Sequence, residues 1–261
     1  MFDQGTGPPL IVIPGIQGRW EWLRPALREL RKHTRTVSYT LCGDFGSGVP
    51  FDPSLGFDNY VRQLDAVFLT AGIESAALCG VSYGGFIALR YAAMRPGRVT
   101  ALILASSPAP GWVPNERQQS YLARPLMSAP RFVATAPMRV WPEVRAAYDT
   151  WAERLAFSVL HAGRVIAAPM IPSRMAARVT LQQAIDFAPD CARIHVPTLV
   201  ITGDDPLDQV VPPAVSRRYL DLIPGAQYEK MERTGHIGMV TRPKHFADVV
   251  TRFLGSSPDQ N

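Results

Sequence analysis

Ser82 lies in the run Gly80-Val81-Ser82-Tyr83-Gly84-Gly85. An apolar stretch precedes it (Ala76, Ala77, Leu78, Cys79) and a helical stretch follows it (Phe86, Ile87, Ala88, Leu89, Arg90, Tyr91, Ala92, Ala93). A strand, a sharp turn with glycine on both sides of a serine, and a helix make a nucleophile elbow. So tight a turn crowds the positions two before and two after the serine, where only glycine fits. The hydroxyl is then held at the carboxyl edge of a sheet, above a helix N-terminus whose free N–H groups favour negative charge. Such a serine attacks carbonyl carbon, provided that a histidine takes its proton and a carboxylate fixes the histidine tautomer.

The sequence offers five histidines. His33 separates a helix from a strand, His161 lies in a helical stretch, His195 precedes a strand and so sits at the wrong edge, and His245 opens the final helix. His236 differs. In Thr234-Gly235-His236-Ile237-Gly238 it follows the carboxyl end of the last strand, on the same edge as Ser82. The acid must come from another strand end. After the strand Val99 to Ala105 the chain reads Ser106-Ser107-Pro108-Ala109-Pro110, without an acid. After the strand Thr198 to Thr202 it reads Gly203-Asp204-Asp205-Pro206-Leu207-Asp208-Gln209-Val210-Val211-Pro212, where three aspartates compete and each also suits a loop or a helix cap.

The elements that must carry these residues follow a simple rhythm. Leu10 to Ile13 reads as a buried strand, Arg19 to Arg31 as a helix, and Thr36 to Leu41 as a strand. Asp58 to Thr70 reads as a helix with Asp58 as its N-cap. The Ala76 strand, the Gly84 to Met94 helix and the Val99 strand complete this half. Strand and helix alternation predicts a parallel, doubly wound α/β sheet covered on both faces. The rhythm stops between Pro108 and Pro189, where no strand pattern appears. It resumes with Thr198 to Thr202, a helix over Pro213 to Ile223, a strand over Ala226 to Lys230 and a helix over Lys244 to Leu254. The predicted organisation is a core of residues 1–110 and 190–261, with residues 111–189 inserted as a helical lid. That segment carries Trp112, Tyr121, Met127, Phe132, Met138, Trp141, Tyr148, Trp151, Phe157, Met170 and Met175. Such a lid implies a mainly apolar substrate pocket.

Composition narrows the classes further. The chain has 261 residues, 47% hydrophobic and 19% charged, which is globular. No apolar run is long enough to span a bilayer and no signal-peptide pattern opens the chain, so a cytoplasmic protein without membrane partners is expected. Cys42, Cys79 and Cys191 are odd in number and widely spaced, which disfavours a structural disulfide, and Cys79 reads as a buried packing residue. Net charge is +5, almost entirely from scattered arginines, which disfavours nucleic acid as a partner. Residues 112–187 hold nine arginines against five acids, so most of the excess charge sits there. This reads as a solvated helical surface, with weak steering of an anionic substrate as the alternative. No metal-ligand cluster or P-loop is present. Gly43 to Gly48 imitates a phosphate loop but opens no helix, so no metal or cofactor is expected.

The chain order Ser, Asp, His is that of the α/β-hydrolases, and the sequence resembles that superfamily over nearly its whole length. The resemblance implies the α/β-hydrolase fold and carries its roles onto this chain. Asp208-Gln209-Val210-Val211-Pro212 fits the Asp-x-x-Val-Pro pattern that often holds the acid, which makes Asp208 the choice. The longer gap after Gly203 leaves Asp205 as the alternative. The resemblance implies that the oxyanion is bound by the backbone N–H of Tyr83 and by that of Ile16. Ile16 follows Gly15 in the loop Pro14-Gly15-Ile16-Gln17-Gly18, where Pro14 replaces the usual histidine. Gln17 could add an amide. Only nine residues precede Leu10, with Gly5, Gly7, Pro8 and Pro9 disfavouring a strand, so the antiparallel N-terminal edge is expected to be shortened.

The expected activity is hydrolysis of a carboxylic ester, thioester or lactone of a small-to-medium apolar or aromatic substrate, through an acyl-enzyme on Ser82. The same layout also serves carbon–carbon bond hydrolases, cofactor-free haloperoxidases and acyltransferases. A non-catalytic small-molecule receptor of this fold is the alternative from another class. A dehalogenase or an epoxide hydrolase is disfavoured, because those carry aspartate where Ser82 stands.

Overall fold

The apolar runs become the centre of a sheet because they are buried on both faces, as a parallel sheet between two helical layers requires. A computed structural model describes residues 1–256. The strands are β1 (Phe2–Gln4), β2 (Pro9–Ile13), β3 (Arg35–Ser38), β4 (Ala76–Val81), β5 (Val99–Ala105), β6 (Thr198–Thr202) and β7 (Gln227–Lys230). They form one sheet in the order β1-β3-β2-β4-β5-β6-β7. All neighbours are parallel except β1 and β3.

The helices of the sheet layers and of the segment between them are α1 (Arg24–Leu30), α2 (Asp58–Ala71), α3 (Gly84–Met94), α4 (Glu116–Ala123), α5 (Pro125–Ala134), α6 (Ala136–Ala147), α7 (Trp151–Ala167), α8 (Pro172–Gln183), α9 (Ala188–Cys191), α10 (Pro213–Arg217), α11 (Tyr219–Leu222), α12 (Gly238–Thr241) and α13 (Pro243–Gly255). Strand residues alternate between two cores. Ile11 and Ile13 face Tyr60, Phe68, Phe86 and Tyr219 on one side. Leu10 and Val12 face Leu27, Leu30, Phe246 and Val250 on the other. Val144 of α6 and Phe157 of α7 join the second core, so the helices between β5 and β6 dock onto the sheet layer rather than standing apart. Among the described residues no single helix is long and apolar enough to cross a membrane.

Several boundaries differ from the sequence reading for local reasons. The helix expected over Arg19 to Arg31 divides into a 3₁₀ turn (Trp20–Leu23) and α1, since Pro25 is tolerated only in a first helical turn. Asp58 is not the N-cap of α2 but its first residue. Phe57 holds the cap without a side-chain bond, and the Asp58 charge serves the helix dipole instead. The helix expected over Pro213 to Ile223 is two short helices, α10 and α11. At the N-terminal edge the antiparallel pairing is shortened, as expected, to a three-residue strand ahead of the glycines. Asp3 pairs with Val37 in register, and Arg35 bonds the Asp3 carboxylate at 2.7 Å. All three cysteines are free and buried, and burial pushes the Cys79 thiol up to about 12.

Candidate active site

The turn at Ser82 is held in a strained form. Ser82 has φ +53°, a left-handed conformation that only a tight constraint imposes on serine. Its own N–H is tied to the Ala105 carbonyl at 2.8 Å. A Cβ on Gly80 would sit 2.5 Å from the Gly84 carbonyl oxygen, and one on Gly84 would sit 2.4 Å from the Ile13 carbonyl oxygen. Both glycines are therefore needed because backbone meets backbone there.

Three side chains from three loops meet at this turn. The Ser82 hydroxyl lies 3.1 Å from His236 Nε2, and His236 Nδ1 lies 3.1 Å from Asp208 Oδ2. The second Asp208 oxygen accepts the N–H groups of Val210 and Val211, each at 2.9 Å, which fixes the carboxylate plane. The His236 side chain is only 16% exposed. Burial opposes its charge, but the neighbouring Asp208 carboxylate, the hydrogen bond to it and Glu143 outweigh burial and raise the imidazole pKa above its ordinary 6.5. Asp205 is not part of this arrangement: it is exposed and paired with Arg217 at 3.2 Å. The other histidines lie elsewhere. His33 and His195 are exposed, His245 is half-buried on α13, and His161 is stacked on Phe157. Burial and the Arg164 charge push His161 down to about 4, which keeps it neutral.

Ile16 and Tyr83 flank the serine. The Tyr83 N–H lies at the start of α3, where main-chain donors have no helical acceptor. The loop after β2 closes a turn in which the Gly18 N–H bonds the Gly15 carbonyl at 2.9 Å. Because a trans peptide is planar, that bond turns the Ile16 N–H of the same peptide unit the opposite way. Gly15 itself lies against the nucleophile: a Cβ there would stand 3.4 Å from Ser82 Cβ.

Ser82, Ile16 and Tyr83 form the floor of a cavity of about 200 Å³ whose walls include Trp112, Tyr121, Leu122, Phe132, Met175 and Val179. Of the large apolar residues expected to face a pocket, only Trp112, Tyr121, Phe132 and Met175 do so. Met127, Met138 and Trp151 are largely exposed, while Trp141, Tyr148 and Phe157 pack against the second core. Helical periodicity alone cannot say which of several apolar faces a helix turns inward.

The sequence reading also overlooked two residues. Glu143 on α6 and Arg178 on α8 counted only as charges on a solvated surface, yet each is 2% exposed. Glu143 Oε2 accepts the Ile237 N–H at 3.1 Å, and Oε1 accepts the Thr241 hydroxyl at 2.8 Å. Arg178 pairs with the Asp44 carboxylate and donates to the Ile16 carbonyl at 2.8 Å. Burial opposes the guanidinium charge, but Tyr60 and Asp44 beside it raise its pKa above the ordinary arginine value. Each of the two shares its helix with other charges, Arg139 and Arg145 on α6 and Arg174 on α8, so no local signal singles either out. No group of three or more histidine, cysteine or acidic side chains converges as a metal site among the described residues.

Comparison with known proteins agrees with this architecture. The profile described as "Alpha/beta hydrolase family" matches residues 10–249. A provisionally named carbamate hydrolase, RutD of Azorhizobium caulinodans, is 26% identical over 96% of this chain and 92% of its own length. The 2-hydroxy-6-oxo-2,4-heptadienoate hydrolase of Pseudomonas putida is 25% identical over 98% of this chain and 92% of its own. Among solved structures, an esterase from Exiguobacterium antarcticum superposes with a TM-score of 0.79 at 18% identity, over 98% of this chain and 94% of the other.

Proposed function

Since this chain belongs to the alpha/beta hydrolase family, we propose that it is a serine hydrolase cleaving a carboxylic ester, thioester or lactone of a small-to-medium apolar or aromatic substrate. The observation that carries this reading is the hydrogen-bonded line from Ser82 Oγ through His236 to Asp208, ending at the floor of an apolar cavity. His236 Nε2 takes the hydroxyl proton while Ser82 Oγ attacks the substrate carbonyl carbon. Asp208 accepts the Nδ1–H, so Nε2 is the free base, and it stabilises the imidazolium that forms. The N–H groups of Ile16 and Tyr83 receive the oxyanion. His236 returns the proton to the leaving oxygen or sulfur, leaving an acyl group on Ser82. Water, deprotonated by the same imidazole, then releases the acid. The helical segment 111–189 acts as the lid that shapes the acyl pocket and keeps bulk water out.

Carbon–carbon bond hydrolysis is the second reading, favoured by the similarity to the heptadienoate hydrolase. It uses the same three side chains and differs in the leaving group, a carbanion in place of an alkoxide or thiolate.

The test is hydrolysis of p-nitrophenyl esters by the wild type and three variants. Ser82→Ala is expected to lower kcat by up to roughly 10⁶-fold. Asp208→Asn is expected to lower it by roughly 10⁴-fold, while Asp205→Asn stays within about twofold because it alters only an exposed ion pair. Unimpaired turnover by Ser82→Ala rejects the mechanism. Absence of ester turnover, with cleavage of a vinylogous 1,5-diketone acid, favours the second reading.

A further inference from the structure

Buried charges contribute little net stability, because desolvation consumes most of what the pairing gains. Glu143 and Arg178 are both fully enclosed, and both come from the helical segment between β5 and β6 rather than from the sheet. Each ends on a loop of the catalytic floor. The Glu143 carboxylate spans the peptides around His236, taking the Ile237 N–H on one oxygen, with the Gly235 N–H also directed at it. Its other oxygen takes the Thr241 hydroxyl of α12. The Thr234–Gly235 and His236–Ile237 peptides, one on each side of His236, are thus held by one carboxylate. Gly235 leaves room for this: a Cβ there would come 2.8 Å from Glu143 Oε2.

Arg178 does the corresponding thing on the other side of Ser82. One arm of its fork pairs with Asp44 and the other holds the Ile16 carbonyl. The Gly15 carbonyl is already bound by Gly18, and the Gly18 carbonyl is bound by the Leu41 N–H at 2.8 Å. With the carbonyls on both sides of Ile16 held, rotation about its two backbone bonds is blocked. The direction of the Ile16 N–H is then set by a side chain 162 positions away in sequence, which local folding could not bring near.

We propose that Glu143 and Arg178 are positioning residues, through which the helical insertion aims the His236 imidazole and the Ile16 oxyanion donor at the reacting carbonyl. This rests on the serine-hydrolase reading above. It adds that the insertion is part of the catalytic framework and not only the wall of a pocket. Neither residue touches substrate; both act through the loops they hold. Misplacement of such groups by about 1 Å costs up to roughly 10²-fold in rate, and loss of an oxyanion donor costs roughly 10²- to 10³-fold.

The experiment compares Glu143→Leu, Glu143→Gln, Arg178→Lys and the double variant Asp44→Asn/Arg178→Met with the wild type, recording Tm, kcat and KM on one p-nitrophenyl ester. Leucine keeps the volume of Glu143 and removes its acceptors; glutamine keeps one acceptor. Lysine at 178 keeps the charge opposite Asp44 and loses the second arm of the fork. The double variant leaves no unpaired carboxylate behind. Expected are a Tm near that of the wild type and a kcat lowered about tenfold to a hundredfold in Glu143→Leu, Arg178→Lys and the double variant, with KM changed less than about threefold. Glu143→Gln should recover most of the loss. Folded variants with wild-type kcat overturn the proposal, as does a fall in kcat that Glu143→Gln does not recover and that tracks a fall in Tm. Should one variant fail to fold, the other residue still decides. Fluorophosphonate labelling of the wild type at Ser82, run alongside, separates the two readings. A wild type that neither labels nor turns over ester rejects the hydrolase reading and this proposal with it, whereas a competent wild type with fully active variants rejects this proposal alone.

Discussion

At the scale of the residue, the proposed mechanism makes His236 the group that decides when the site can work. Its pKa is raised above the ordinary 6.5 by Asp208, the hydrogen bond to it and Glu143, against the opposing effect of burial. Only the neutral imidazole can accept the Ser82 proton. The acid limb of kcat/KM should therefore lie above pH 6.5, with activity rising as pH passes through the folded-state value; an acid limb well below 6.5 contradicts this. The stability linkage has the opposite sign. The imidazolium–Asp208 pair stabilises the folded chain fully below the unfolded value of 6.5, and that contribution is lost as pH rises through the folded value. Full activity and this increment of stability thus occupy different pH ranges. That Ser82 and His236 would meet was legible in the sequence because glycine spacing and strand order are local signals. That Asp208 would join them was legible only with Asp205 as an alternative. What separates them is which carboxylate the turn after Gly203 faces inward: Asp208 is 1% exposed in its side chain, Asp205 56%.

At the scale of the element, the βα turn at β4 and α3 shows why so few residues specify so much. Gly80 and Gly84 let the first turn of α3 press against the ends of β2 and β4, which places a serine in a left-handed conformation at the sheet edge. Gly84→Ala would push a methyl group to within 2.4 Å of the Ile13 carbonyl and 2.6 Å of the Pro14 carbonyl, both backbone atoms that cannot swing aside. It should cost at least about 2 kcal/mol in urea unfolding, and it should disturb the Ile16 loop at the same time, so activity falls with stability. An alanine variant of wild-type stability shows that the turn is looser than its geometry implies. Strands β5 and β6 and helix α3 have the bounds that the residue pattern predicts. The errors fall at ends, where Pro25 divided a helix and where Asp58 entered its helix rather than capping it. At ends, propensity competes with capping and chain reversal, and a shift of one residue alters little burial.

At the scale of the whole molecule, the segment between β5 and β6 reaches the loops of Asp208, His236 and Ile16. Arg117 and Gln118 bond the carbonyls of Gln209 and Val210 beside Asp208, Glu143 and Tyr148 hold the region of His236 and α12, and Arg178 holds Ile16. Its inward faces leave a cavity of about 200 Å³. An apolar space of that size suits a short-to-medium acyl chain. Across p-nitrophenyl esters, kcat/KM should peak at short-to-medium chains and fall roughly tenfold or more toward chains of about twelve carbons. Phe132→Ala, which removes a wall ring packed on Tyr121 and Arg139, should move the optimum to longer chains; an unchanged optimum places the acyl group elsewhere. The order of strands and helices, the elbow and its histidine could all be read along the chain, since each depends on residues adjacent in sequence and on periodicities of two or of three to four. Which side chains of the insertion face the cavity, which aspartate turns inward, and that Glu143 and Arg178 leave the surface for the catalytic loops were decided only by packing. Those outcomes depend on how far each helix rotates against a sheet built from distant parts of the chain, and no local pattern records that angle.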